Sequence, residues 1–219
     1  MITVHHLENS RSQRVLWLLE ELGLPYELKH YARDRKTMLA PPELAQVHPL
    51  GKSPVISDGD ITVAESGAIV EYLVDKTGRL KPASGTAEHR QFVYWLHFAE
   101  GSAMPPLLVK LIFDTVQKAK VPFFVKPVLK GVAGQVGKAF VSPNLARQFA
   151  FMQAELAQRP WFAGAEFTAA DIQMSFPLEA GQARGGLDAR FPKLIDWLAR
   201  IHARPAYQRA LARGGPYRL

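Results

Sequence analysis

Alternating, strand-like patterning is confined to the first third of the chain, and every periodic stretch beyond residue 80 is helical. Strands and helices segregated in this way predict a mixed α/β unit followed by an all-helical one. The first unit begins with Ile2-Thr3-Val4-His5-His6-Leu7, which reads as a strand. Residues 15–22 read as a helix, with Gly23 where a helix end wants a left-handed residue. Residues 25–31 alternate again, and strand–helix–strand suggests a parallel crossover. Residues 32–47 are polar and broken by Pro41-Pro42, so a loop with a short helix near 43–47 is expected. Residues 55–57 and 61–63 flank Asp58-Gly59-Asp60, a hairpin signal. A helix follows and Gly78 closes it, which completes a βαβ-ββα order.

The remainder divides less cleanly. Residues 89–116 predict a long helix interrupted or kinked at Pro105-Pro106. Residues 122–140 are helical but carry Gly131, Gly134 and Gly137. Ser142-Pro143 reads as an N-cap with proline in the first turn, opening a helix to about residue 158. Thr168-Ala169-Ala170-Asp171 reads as a capping box, with two short helices beyond it over 193–202 and 205–213. The expected domains are 1–80 and 87–219, with 81–86 as linker.

The junction Asn9-Ser10-Arg11-Ser12-Gln13-Arg14 places two serines between a strand and a helix. Unpaired N–H groups and the helix dipole make such a junction a good anion site, including for a thiolate. The chain has no cysteine, which excludes disulfides, thiolate metal sites and a protein-borne thiol nucleophile. Any sulfur chemistry must use a substrate's sulfur. The seven histidines show no metal-ligand spacing, so no metal is expected. The net charge is +7, from 27 Lys plus Arg against 20 Asp plus Glu. These basic residues are scattered, which argues against a nucleic acid partner. No apolar run is long enough to span a bilayer and no signal-peptide pattern opens the chain, so a cytoplasmic protein without membrane contact is expected.

Four segments together resemble the cytosolic glutathione S-transferases: residues 9–14, His48-Pro49-Leu50-Gly51-Lys52-Ser53-Pro54-Val55, Glu65-Ser66, and Thr168-Ala169-Ala170-Asp171-Ile172. Tyr94 to Ser102 resembles bacterial and fungal members with a serine-type, theta-like start. Tyr is absent from residues 1–25, unlike the tyrosine-type classes. The resemblance implies a thioredoxin-like α/β N-terminal domain, an all-α C-terminal domain and a homodimer. It also implies glutathione as co-substrate, small electrophiles as second substrates, and conjugation with organic peroxide reduction as a further activity.

By the same resemblance, Glu65 and Ser66 take the γ-glutamyl end of glutathione, and Val55 pairs with its cysteinyl backbone. Lys52 reaches the glycyl carboxylate, with Ser53 and His48 beside it. Pro54 is cis in such proteins. Ser10 is favoured as the sulfur's hydrogen-bond donor, with Ser12 and Asn9 as alternatives. Lowering a thiol's pKa from ~8.5 by ~2 units needs ~2.7 kcal/mol. A charge-assisted hydrogen bond supplies roughly 1.5–3 kcal/mol, so one hydroxyl suffices. The electrophile is expected against Tyr94, His97, Met104, Leu108 and Phe113, with Phe123 or Phe124 as further lining. Arg14 is expected to pair with a helical-domain carboxylate, and Asp171 to cap a helix. A non-catalytic carrier or interaction module of the same fold is the alternative.

Overall fold

The computed structural model describes residues 1–215 and 217. Its strands are β1 (Ile2–Leu7), β2 (Tyr26–Tyr31), β3 (Val55–Asp58) and β4 (Ile61–Ala64), in the order β2-β1-β3-β4. β1 runs parallel to β2, with Ile2 opposite Tyr26, and antiparallel to β3. β3 and β4 form the hairpin, with Gly59 at φ 62° in the first loop position, where a tight hairpin turn favours glycine. Helix α1 (Ser12–Leu22) makes the parallel crossover, followed by α2 (Glu43–Val47) and α3 (Ser66–Thr77). This is the thioredoxin-like βαβ-ββα order that the alternation predicts.

Only helices follow: α4 (Ala87–Phe98), α5 (Met104–Gln117), α6 (Lys126–Val136), α7 (Ser142–Gln158), α8 (Ala169–Ala180), α9 (Pro192–His202) and α10 (Pro205–Gly214). Residues 216, 218 and 219 of the expected helical domain lie outside the described residues. The capping box is formed: Asp171 Oδ2 accepts from Thr168 N–H at 3.0 Å, and Asp171 Oδ1 accepts from Phe162 N–H and Trp197 Nε1.

Two expected breaks are corrected. The long helix is not broken at Pro105-Pro106. It widens one turn earlier, over 99–103, where Met104 N–H reaches back five residues to the Ala99 carbonyl. The prolines then sit in the first turn of α5, where two donors are dispensable. Pro106 cannot serve the Ser102 carbonyl, and Gln148 Nε2 of α7 donates to it instead at 2.7 Å. Likewise Ser142 opens no new helix. Its backbone is helical (φ −63°, ψ −43°) and its N–H bonds the Gly137 carbonyl, so α6 runs through a widened turn at 137–141 into α7. A π turn absorbs one extra residue without ending a helix, so local break signals misplace the boundary.

Helices α1 and α8 form the middle of the molecule. All twelve residues of α8 are buried, as are Ser12 to Leu19 and Leu22 of α1. A helix apolar or packed on every side must lie inside. Pro177 interrupts α8 and leaves the Gln173 carbonyl without its helical donor. Arg14 Nη1 of α1 donates to that carbonyl at 2.7 Å. Among the described residues no helix is long and apolar enough to cross a membrane.

Candidate functional site

A cleft of ≈ 240 Å³ opens where the sheet domain meets the helical domain. One side is the loop before β3, with His48, Lys52, Ser53 and Pro54. The other is the β4–α3 junction, with Ala64, Glu65 and Ser66. Arg11 and Glu100 form the floor toward the helices. The Ser53–Pro54 peptide bond is cis. Ser53 Oγ donates to the His5 carbonyl at 2.9 Å, which ties the loop to β1.

Glu65 sits at φ 70°, a conformation that costs a non-glycine residue of order 1–3 kcal/mol. Its side chain is exposed at the cleft. Directly after it, Ser66 begins α3, and the unpaired first N–H groups of a helix favour an anion. The Ser66 hydroxyl accepts from Arg14 Nη2 at 3.0 Å and from Gln173 Nε2 at 3.4 Å. Arg14 is fully buried and also donates to Glu100 Oε1 at 2.5 Å. Arg11 Nε lies 3.2 Å from Glu100 Oε2. Burial alone would raise the Glu100 carboxyl's pKa, but Arg14 and Arg11 outweigh it and hold the group below the usual range. Glu100 is therefore ionised and neutralises part of the arginine pair. Both guanidinium groups also lie over the Phe176 ring, at 5.0 and 5.3 Å.

The serines lie behind Arg11. Ser10 and Ser12 are buried, and neither lines the cleft wall. Ser10 Oγ accepts from Ser12 N–H at 3.2 Å, which satisfies the first donor of α1 from one residue outside the N-cap Arg11. The hydroxyls lie 2.7 Å apart, and Ser12 Oγ lies 2.8 Å from His6 Nδ1. His6 Nε2 faces the Gly214 carbonyl at 3.0 Å. A carbonyl only accepts, so Nε2 carries the proton and Nδ1 accepts from Ser12. The chain of donors therefore runs Ser10 to Ser12 to His6 to Gly214. Burial lowers the His6 pKa to about 4, so the imidazole is neutral. Asn9 is exposed at φ 49°, with its carbonyl accepting from Arg33 at 3.3 Å.

A family model for the glutathione S-transferase N-terminal domain matches residues 1–75, and one for the C-terminal domain matches residues 115–205. Glutathione S-transferase 3 of Schizosaccharomyces pombe is 37% identical over 208 residues, 94% of this chain and 85% of its own length. The chain belongs to the glutathione S-transferase family. Membership gives its class of activity, that of a transferase using glutathione. Among solved structures, a glutathione S-transferase from Actinobacillus pleuropneumoniae matches with a TM-score of 0.75 at 34% identity, covering 98% of this chain and 93% of that one. A glutathione transferase family member from Pseudomonas fluorescens, with two glutathione molecules bound, gives 0.76 at 28% identity, covering 96% and 92%.

Against this cleft, the sequence expectations divide. Lys52, Ser53, His48, Glu65 and Ser66 come together on its two sides. The Val55 side chain is not part of the lining: it is 1% exposed and turned into the sheet domain, at the start of β3 opposite His5 and Ala64, whereas the contact expected of it is a backbone one. The residues expected around the electrophile do not converge. Met104 is in the core. Tyr94 points outward against Phe98 and Phe151, and His97 and Leu108 are exposed. Phe123 and Phe124 are exposed at the turn before α6. Phe113 lines a separate cavity. Helical spacing shows which residues share a face, but not which face meets the other domain.

Arg11 and Glu100 were not singled out by the sequence. Arg11 has a local signal, a cation between the two junction serines. Glu100 has none, because its position depends on the widened turn at 99–103. Among the described residues no group of three or more His, Asp or Glu side chains is placed to hold a metal ion.

Proposed function

We propose that this serine-type transferase binds glutathione in the cleft, activates its thiol from the α1 end and adds it to small electrophiles. One observation carries the reading: an anion-binding helix start bearing Glu65 and Ser66 faces Lys52 and Arg11 across a single cleft. Glutathione carries two carboxylates, an ammonium and a thiol. The start of α3 suits the γ-glutamyl carboxylate, and Glu65 suits the ammonium. Lys52 suits the glycyl carboxylate, with His48 and Ser53 beside it. The sulfur then lies toward Arg11 and the serine junction. Ser10 is the donor to the thiolate once its hydroxyl turns from Ser12. Ser12 and Asn9 are the other groups at this junction. Val55, directly after the cis Ser53–Pro54 bond, pairs its backbone with the cysteinyl unit of glutathione as an added strand would.

The thiol releases its proton to solvent. The sulfur lone pair then forms the new bond to carbon as the leaving group departs with its own pair. Organic peroxides are a second class of acceptor: the thiolate attacks the terminal oxygen, the O–O bond breaks and its pair leaves on the alkoxide, which is protonated to the alcohol; a second glutathione thiolate then attacks the resulting sulfenic acid, forming the disulfide as the S–O oxygen leaves as water. Residues 1–80 hold glutathione, 81–86 link, and 87–219 supply the electrophile's surroundings. We place the protein in the cytoplasm as a homodimer.

Ser10→Ala is expected to slow conjugation by about 10- to 100-fold at neutral pH, the worth of one charge-assisted hydrogen bond, with glutathione affinity nearly unchanged. Equal activity of variant and wild type across a pH series would remove Ser10 from the role and turn attention to Ser12 and Asn9. Failure of the wild type both to bind immobilised glutathione and to conjugate would favour the non-catalytic carrier.

A further inference from the structure

The second cavity lies inside the helical domain, with a volume of ≈ 290 Å³. Its walls include Phe113, Val141 and Leu145, which offer an apolar surface to a flat molecule. Two cations and one carboxylate line it. Lys110 Nζ bonds both oxygens of Asp114, at 3.2 and 2.9 Å, so that pair is internally neutral. Arg184 is left over. Its Nε is buried without a hydrogen-bond partner, and among the described residues no salt bridge involves its guanidinium.

Arg184 sits on a third widened helical turn, at 181–185, which ends α8. Such turns re-aim a side chain by inserting one residue into the helix. Burial lowers its pKa most, and Tyr217, then Arg11, then Asp114 act on it electrostatically. Arg11, which lines the cleft, lies over the Phe176 ring of α8, about two turns before Arg184 on the same helical run. An unpaired guanidinium in a partly dry cavity is poorly satisfied by water alone and favours a planar anion.

We propose that Arg184 binds an anionic group, a carboxylate or similarly planar oxyanion, of the electrophile, and so makes aromatic acids the preferred acceptor class. This rests on the transferase reading above, whereas the anion site itself can be tested without turnover.

The test uses the full chain with glutathione and two chlorinated dinitroarenes, neutral 1-chloro-2,4-dinitrobenzene and anionic 4-chloro-3,5-dinitrobenzoate. In both, the C–S bond forms as chloride leaves with the C–Cl pair. Arg184→Gln is expected to lower kcat/KM for the benzoate about tenfold, mainly through KM, while the neutral probe changes by less than about twofold. Arg184→Lys should recover part of the loss, and at saturating glutathione added KCl should weaken the benzoate reaction more than the neutral one. Equal effects on both probes, or none on either, would overturn the proposal. The non-reactive 3,5-dinitrobenzoate separates the two readings by equilibrium binding. A Kd weakened about tenfold by Arg184→Gln supports the anion site even if no conjugation occurs, and an unchanged Kd overturns it. Thermal melts of both variants establish that they are folded.

Discussion

At the scale of single residues, the serine junction is more inward-facing than its sequence suggests. Ser10 and Ser12 were legible as a strand-to-helix anion site because capping is a local matter. Their partner was not legible: His6 was assigned only a strand face, and its neutral state depends on burial. That state has a measurable consequence. The folded His6 has a pKa of about 4, against an ordinary 6.5. As pH falls through this window the unfolded chain takes up a proton that the folded chain refuses. The stability is fully present above 6.5 and is lost progressively toward 4, by up to ~3 kcal/mol. His6→Gln should remove that slope in urea melts run at several pH values. Burial raises the Asp171 carboxyl pKa to about 6, which acts in the opposite sense between about 4 and 6. It does so in both proteins, so the difference between them isolates His6. Parallel slopes would mean that His6 is not buried neutral.

At the scale of elements, strands, caps and the hairpin were legible because each is written within a few residues. The widened turns were not. One inserted residue hardly disturbs an apolar pattern, and proline or glycine near it reads as a boundary. What fixes such turns is distant: Gln148 serves the carbonyl that Pro106 leaves open, and Arg14 the one that Pro177 leaves open. Arg14 thereby joins α1, α8, the start of α3 and Glu100 in one bonded group. Arg14→Met should lower stability by about 3 kcal/mol, the low end for breaking a buried charge pair, since Glu100 is partly exposed. Glutathione affinity should fall as well, because Ser66 loses the donor that holds it. Chemical denaturation and glutathione titration check the two effects separately, and an unchanged midpoint would remove Arg14 as the tie between domains.

At the scale of the whole molecule, the chain's last helix closes over its first. Arg204 pairs with Glu21 at 2.5 Å and Arg209 with Glu20 at 2.8 Å, so α10 is clamped along α1. At the end of α10, Gly214 approaches so closely that an added Cβ would lie 2.4 Å from Gln13 Oε1 and 2.8 Å from Leu16 Cδ1. Gly214→Ala should therefore destabilise the protein by about 1–3 kcal/mol, the usual cost of overpacking. Its melting temperature should fall, and conjugation should slow if the His6 carbonyl contact shifts. A melt identical to wild type would remove this close approach as a constraint on stability. The two-domain division was readable from the change in periodicity, but this closure was not, since no local pattern links residues about 200 positions apart. It also sets a timetable for synthesis. Helix α1 leaves the ribosome about 190 residues before α10 is complete, a wait of roughly 10–40 s at ordinary elongation rates. Throughout that interval Trp17 and its apolar neighbours lack the surface that later covers them. The nascent N-terminal third is thus a natural client for chaperones, and a chain stalled before α10 would be released with the buried face of α1 partly uncovered.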